Sequence, residues 1–292
     1  MPETPAFVDS SDGVRVAVHD LGGSDAPDAP VLLFSHATGF HARVWEPMAG
    51  HLVDRHRCLA VDYRGHGLAE TPTGTTFEWA GYGDDAEAVL TSELVLGIAA
   101  GRPIHGVGHS MGGAALVLAA ARRPDAMRSL WLYEPILPGP GSMLSGDGPN
   151  PLAEGAARRR PTFDSYDAAL ANYAAKPPLD QLHPDALRAY VEGGFALQAD
   201  GTVTLRCAPA TESATFSMAG SSGAFAALPG VELPVAIVVG REEDFGPAAF
   251  GPGAAAALPH GELVERRHLG HFGPLEDPEG MAADLAAWVA GR

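Results

Sequence analysis

The chain has 292 residues, 46% of them hydrophobic, and its 36 acidic side chains against 19 basic ones give a formal charge of −17. That is enough apolar material for one large core, and the charge opposes binding to phosphate backbones or anionic membranes except through a local basic patch. The basic run Arg158-Arg159-Arg160 is too short for a nucleic-acid footprint, so neither nucleic acid nor a membrane is expected as a partner.

The N-terminus lacks the basic-then-apolar layout of an export signal, and no stretch is long enough to span a bilayer. The expectation is a cytoplasmic protein. "GVRVAVHDLG" (13–22) alternates like a half-exposed strand and runs into a Gly/Asp/Pro-rich loop. "VLLFSHA" from Val31 and "RCLAVDYRGHG" from Arg57 are short apolar runs ending in Gly/His-rich turns, the pattern of strands buried on both faces. Residues 77–99 read as helical in their second half, "PIHGVGHS" as a strand, "GGAALVLAAARRPD" as a helix closed by Pro124, and "RSLWLYEPI" as another strand. This alternation implies βαβ units and a mostly parallel sheet.

The rhythm breaks at Pro138. From there the sequence reads as helices joined by polar loops, which predicts an insertion over 137–225 between core segments 1–136 and 226–292. The arginine run reads as a solvated helix face, and "DGTVTLRCAPATES" as a polar strand-like patch whose Cys207 and Glu212 receive no role. "PVAIVVG" resumes the core, followed by "GELVERRHLGHFG" and the amphipathic "PEGMAADLAAWVAG". Cys58 and Cys207, the two cysteines, cannot build a disulfide framework and have no C-x-x-C spacing, so they read as idle thiols.

"GVGHSMGGAAL" (106–116) places Ser110 between Gly108 and Gly112 at a strand-to-helix junction. Gly and Ser also mark ordinary turns, but a serine on a sharp elbow needs glycines where side chains would meet neighbouring backbone. A hydroxyl becomes a useful nucleophile when a base takes its proton. Among twelve histidines, His271 in "LGHFGPLEDP" stands out, because it follows a strand-like run and precedes a helix start.

With "SHATGF" after the third strand, "VDYRGHGLAETP" after the fourth, "GHSMGG" at the elbow, an insertion, and "GHFGPLEDP" near the end, the chain resembles the α/β-hydrolase fold family over nearly its whole length. The resemblance implies a mostly parallel eight-stranded sheet flanked by helices, with an inserted helical cap, and catalytic residues in the order Ser, acid, His. It implies an oxyanion hole formed by the N–H of Met111 and one after His36-Ala37, where Thr38 is the candidate with Gly39 or Phe40 as substitutes. For the acid it leaves two places open. One is the turn after the strand that follows the cap, where Glu243 and Asp244 lie, Asp244 one residue later than the usual spacing. The other is the end of the strand after the elbow helix, which holds Glu134. Asp62 and His66 read as a structural turn.

A serine at position 110 excludes the aspartate-based branches of this fold. The favoured reading is a hydrolase of carboxylic esters with small to medium acyl groups. The alternatives are a carbon–carbon bond hydrolase of diketo acids, against which His109 stands where such relatives carry Asn, and a slow, ligand-binding member of the fold. No cofactor is expected, since metal, P-loop and dinucleotide motifs are lacking.

Overall fold

A computed structural model describes residues 4–142, 150–242 and 246–292. The apolar runs of the sequence form strands sealed on both faces. The first six strands are β1 (Ala6–Asp9), β2 (Arg15–Gly23), β3 (Val31–Ser35), β4 (Arg57–Asp62), β5 (Ile104–His109) and β6 (Ser129–Tyr133). Three short strands follow in the insert: β7 (Thr162–Phe163), β8 (Phe195–Leu197) and β9 (Val203–Leu205). The chain then returns to the main sheet with β10 (Val235–Val239) and β11 (Gly261–Glu265).

Eight strands form one sheet in the order β1-β2-β4-β3-β5-β6-β10-β11. β1 and β2 are antiparallel to their neighbours, and the rest pair in parallel. Every residue of β3, β5, β6 and β10 is buried, because helices cover both faces. The helices Trp79–Thr91, Glu93–Ala99 and Met111–Arg122 join the core on one face with Val31, Leu33 and Ile237. Helix Pro278–Ala290 packs with Trp45, Phe34 and Val238 on the other. The helical stretch expected over 77–99 is two helices, parted at Ser92, whose hydroxyl caps the second by accepting from Val95 N–H. The N-terminal strand β1 carried no sequence signal of its own, being four residues long and fixed by pairing with β2.

Between β6 and β10 the chain leaves the sheet. This insert is not all helical, as the sequence suggested. β7, β9 and β8 form an antiparallel sheet in that order, with Phe163, Phe195, Val203 and Leu205 buried beneath helical residues such as Tyr190. β7 and β8 are two and three residues long, too short for alternation to register, while β9 falls in the stretch "DGTVTLRCAPATES" that reads as strand-like. The insert is tied to the loops at the carboxyl ends of the core strands. Trp79 Nε1 donates to Thr215 O at 2.9 Å, His41 Nε2 donates to Tyr190 O at 3.0 Å, and His183 N–H donates to Leu275 O at 2.8 Å. The region over these strand ends is where parallel α/β sheets place their ligands. Among the described residues no helix is long and apolar enough to cross a membrane.

Candidate active site

The turn from β5 into helix Met111–Arg122 holds Ser110 at φ 54°, ψ −117°, a backbone state that costs a non-glycine residue about 1–3 kcal/mol. The surroundings enforce it. Ser110 N–H donates to Tyr133 O at 3.1 Å, and its carbonyl accepts from Gly113 and Ile136 N–H at 3.1 and 3.2 Å. The flanking glycines are steric requirements. A Cβ on Gly108 would stand 2.6 Å from Gly113 Cα, and one on Gly112 would overlap the carbonyl oxygen of Ser35. The elbow thus presses against β3 so closely that backbone touches backbone.

Glu134 and His271 meet beside it. Glu134 directly follows β6, which pairs with β5, and adopts φ 40°. Its Oε1 accepts from Gly240 N–H at 2.8 Å and its Oε2 from His271 Nδ1–H at 2.7 Å. Glu134 is 2% exposed, and with both oxygens engaged the burial of the carboxylate is compensated. The bond at Nδ1 fixes the His271 tautomer and leaves Nε2 as an acceptor. The His271 loop is held in turn by Glu276, whose carboxylate accepts from the N–H groups of Gly270 and Phe272 at 2.9 and 3.2 Å, and by Tyr133 Oη, which donates to Gly270 O at 2.7 Å.

His109, next to the elbow serine, donates from Nε2 to His271 O at 2.8 Å, and the two rings lie 4.8 Å apart. Residues 110 and 271 are thereby brought to one place from opposite parts of the chain. Ser110 Oγ makes no hydrogen bond among the described residues. Trp45 Nε1 and Arg57 Nε are the side-chain polar atoms there that are both sealed and unpartnered, so Oγ opens onto accessible space. Catalytic hydrogen bonds are often long in unliganded enzymes and tighten around substrate. Glu243 and Asp244, the other candidates for the acid, lie outside the described residues.

The loop after β3 supplies the remaining geometry. Gly39 N–H donates to His66 Nε2 at 3.0 Å, and Phe40 N–H donates to Ala37 O at 3.1 Å. Thr38 N–H is left with no acceptor among the described residues. Met111 N–H, in the first turn of its helix, is equally unpaired and carries the helix dipole. Phe40 packs beside it, its ring 4.9 Å from Tyr190 and 5.3 Å from Phe272.

Asp62 and His66 build the loop, as read from sequence. Asp62 accepts from Ala42 and Leu68 N–H and from His19 Nε2 at 2.6, 2.8 and 2.7 Å. Burial, the largest single effect, opposes its ionisation, but the His19 hydrogen bond and the charge interactions with His19, His41 and His36 together outweigh it and hold the carboxyl below the usual carboxylate range. His66 donates from Nδ1 to Arg64 O, and His36 donates from Nδ1 to Ala37 O while its Nε2 accepts from Tyr63 N–H at 3.2 Å. Protonating either ring would set an N–H against an N–H. Burial lowers the pKa of His36 to about 3 and those of His66 and His105 to about 4.

An acid-stability prediction follows from these rings. Folded, they stay neutral, whereas the unfolded chain takes up their protons below a pKa of about 6.5. Their contribution is intact above that value and is lost as pH falls toward 4, each ring approaching about 1.4 kcal/mol per pH unit by pH 5. Chemical denaturation at pH 7.5, 6 and 5 is expected to show the midpoint falling steeply over the lower interval; a flat profile from 7.5 to 5 would contradict the neutral assignment.

The arginine run departs from the sequence reading. Arg158 and Arg160 are exposed, but Arg159 turns inward and pairs with Glu212. The Glu212 carboxylate and the hydroxyls of Tyr173 and Tyr190, invisible in a three-residue basic run, made the difference. Both cysteines are buried. Burial pushes the Cys58 thiol up to about 12 and raises Cys207 as well, which fits unreactive thiols.

A doubly wound sheet with a strained serine elbow at the end of its central strand, and a carboxylate–imidazole pair beside it, is the architecture of the α/β-hydrolase fold. Residues 32–284 match the model of the alpha/beta hydrolase family, and the chain belongs to that family. It is similar to a 2-(acetamidomethylene)succinate hydrolase from Mesorhizobium japonicum, with 40% identity over 101 residues, 35% of this chain. That match covers 34% of the relative's length, so the chain spans about a third of the relative it matches there. Among solved structures, E-2-(acetamidomethylene)succinate hydrolase superimposes with a TM-score of 0.76 at 25% identity, covering 98% of each chain. Esterase RhEst1 from Rhodococcus sp. ECU1013 does so with a TM-score of 0.73 at 20% identity over 99% of each, which speaks to the fold alone.

Proposed function

We propose that this hydrolase cleaves carboxylic esters of small to medium acyl groups through an acyl-enzyme on Ser110. The observation that carries the reading is the Glu134–His271 pair, in which Nδ1–H donates to the carboxylate at 2.7 Å and Nε2 is left to serve as base. Ser110 Oγ attacks the ester carbonyl while His271 Nε2 takes its proton. The oxyanion of the tetrahedral intermediate is met by Met111 and Thr38 N–H, two donors already free of internal partners. His271 then gives its proton to the departing alkoxide oxygen. Water repeats the sequence on the acyl-enzyme, losing a proton to His271 and releasing acid and Ser110. No cofactor takes part in these steps.

The insert, expected over residues 137–225, acts as a cap over the serine elbow, with Tyr190 packed against Phe40, and limits acyl size. A second reading, hydrolysis of an amide-type acyl bond, draws on the relative whose named substrate carries an acetamido group; the same nucleophile, base and oxyanion donors would serve. The test is a serine-directed fluorophosphonate together with 4-nitrophenyl acetate, butyrate and octanoate. Labelling is expected on Ser110, with the two shorter esters cleaved faster than octanoate. A chain that is neither labelled nor able to cleave any ester would end this proposal and favour a binding protein, which ligand-induced thermal stabilisation without turnover would reveal.

A further inference from the structure

A second polar cluster lies against the oxyanion loop, contributed by the insert. Arg159 Nη1 donates to Glu212 Oε2, and its Nη2 donates to the hydroxyls of Tyr173 and Tyr190. The Arg159 and Glu212 side chains keep 18% and 8% of their surface exposed. A Cβ built on Gly39 would stand 2.5 Å from Glu212 Oε1, and Gly39 directly follows Thr38. Tyr190 packs on Phe40. The cluster therefore adjoins the loop that carries Thr38 and Phe40, beside the serine elbow.

Hydrogen-bonding capacity is left over in it. Glu212 Oε1 has no partner among the described residues, and it is not among the sealed polar atoms that lack one, so it faces accessible space. Each tyrosine oxygen accepts from Arg159, which leaves its own proton to donate. The cluster thus offers one carboxylate acceptor and, from the partly exposed Tyr173, one hydroxyl donor, with the buried Tyr190 behind them, while the ion pair cancels the net charge.

We propose that Arg159, Glu212, Tyr173 and Tyr190 form a specificity subsite for an uncharged substrate arm carrying a donor and an acceptor together, a carboxamide being the simplest, and that it disfavours a carboxylate arm. The assignment rests on the reading of Ser110 and His271 as the reacting centre. A carboxamide N–H meets Glu212 Oε1 while its carbonyl accepts from a tyrosine hydroxyl, and no buried polar atom is left unpaired. A carboxylate would lie beside Glu212 in a site of low dielectric, where like charges repel strongly, and Arg159 is already compensated. Sites built to pair a polar substrate group discriminate sharply against analogues that leave it unpaired.

Three matched 4-nitrophenyl esters, whose acyl chains end in a primary amide, a carboxylate or a methyl group, test the subsite. In the unmodified protein the amide-ended ester is expected to exceed the carboxylate-ended one in kcat/KM by about 30-fold. Glu212→Gln keeps the shape but leaves Arg159 uncompensated, so that ratio should invert. Equal rates in the unmodified protein, or an unchanged ratio in Glu212→Gln, would overturn the proposal. If Glu212→Gln does not fold, Tyr173→Phe serves instead; removing one donor should lower the amide-to-methyl ratio about tenfold, and no change counts against the subsite. Calorimetric binding of the same esters to Ser110→Ala protein reads the preference without turnover. Absence of labelling and cleavage would defeat the catalytic reading, while the calorimetric ratio would still decide the subsite.

Discussion

Ser110→Ala is expected to lower turnover of 4-nitrophenyl butyrate by about 10⁴- to 10⁶-fold while leaving the fold intact. The variant has no atom that can form the acyl-enzyme. What survives is the small acceleration that Met111 and Thr38 N–H give to direct attack by water, together with binding in the space beneath the insert. Folding should be little affected, because alanine at φ 54° bears the same backbone strain as serine, and Oγ holds no hydrogen bond whose loss would be felt. Turnover should be measured after active-site titration, with the thermal midpoint recorded alongside. A residual rate within tenfold of the unmodified protein would show that another group is the nucleophile.

Glu134→Gln is expected to reduce kcat by about 10³- to 10⁴-fold, through the tautomer of His271 rather than through distance. Gly240 N–H needs an acceptor, so the amide oxygen of the glutamine takes the place of Oε1. Its NH₂ then faces His271 Nδ1. Two N–H groups cannot share that line, and the ring must move its proton to Nε2, where it can no longer accept one from Ser110. Binding of substrate is untouched, so KM should change far less than kcat. Asp244→Asn is expected to stay within about threefold, since Glu134 already fills the single donor at Nδ1. The reverse pattern, with Asp244→Asn crippled and Glu134→Gln active, would assign the acid to the turn after β10.

These expectations divide along the line between local and distant information. The elbow is legible in "GHSMGG" because the constraint is steric and short-range: Gly108 is crowded by Gly113 five residues away in the same turn. His271 is legible because its loop sits between a strand and a helix start, although Glu276 and Tyr133, which hold that loop, gave no signal on their own. The short strands β7 and β8 were lost for the opposite reason, since they exist only by pairing with β9 and by sitting over apolar residues of the insert.

By itself the sequence determined the strand–helix alternation, the serine elbow and the histidine loop, all matters of hydrophobic period and turn sterics within a few residues. Only the tertiary structure decided which carboxylate meets His271, because that depends on β6 lying between β5 and β10. In that strand order Glu134 stands where Gly240 N–H can hold one oxygen and His271 the other. The same holds for Arg159: a basic run is polar by composition, and the side chain turns inward where a buried carboxylate and two phenol oxygens offer its guanidinium partners. Pairing across long stretches of chain is a property of the packed molecule, and no window of sequence contains it.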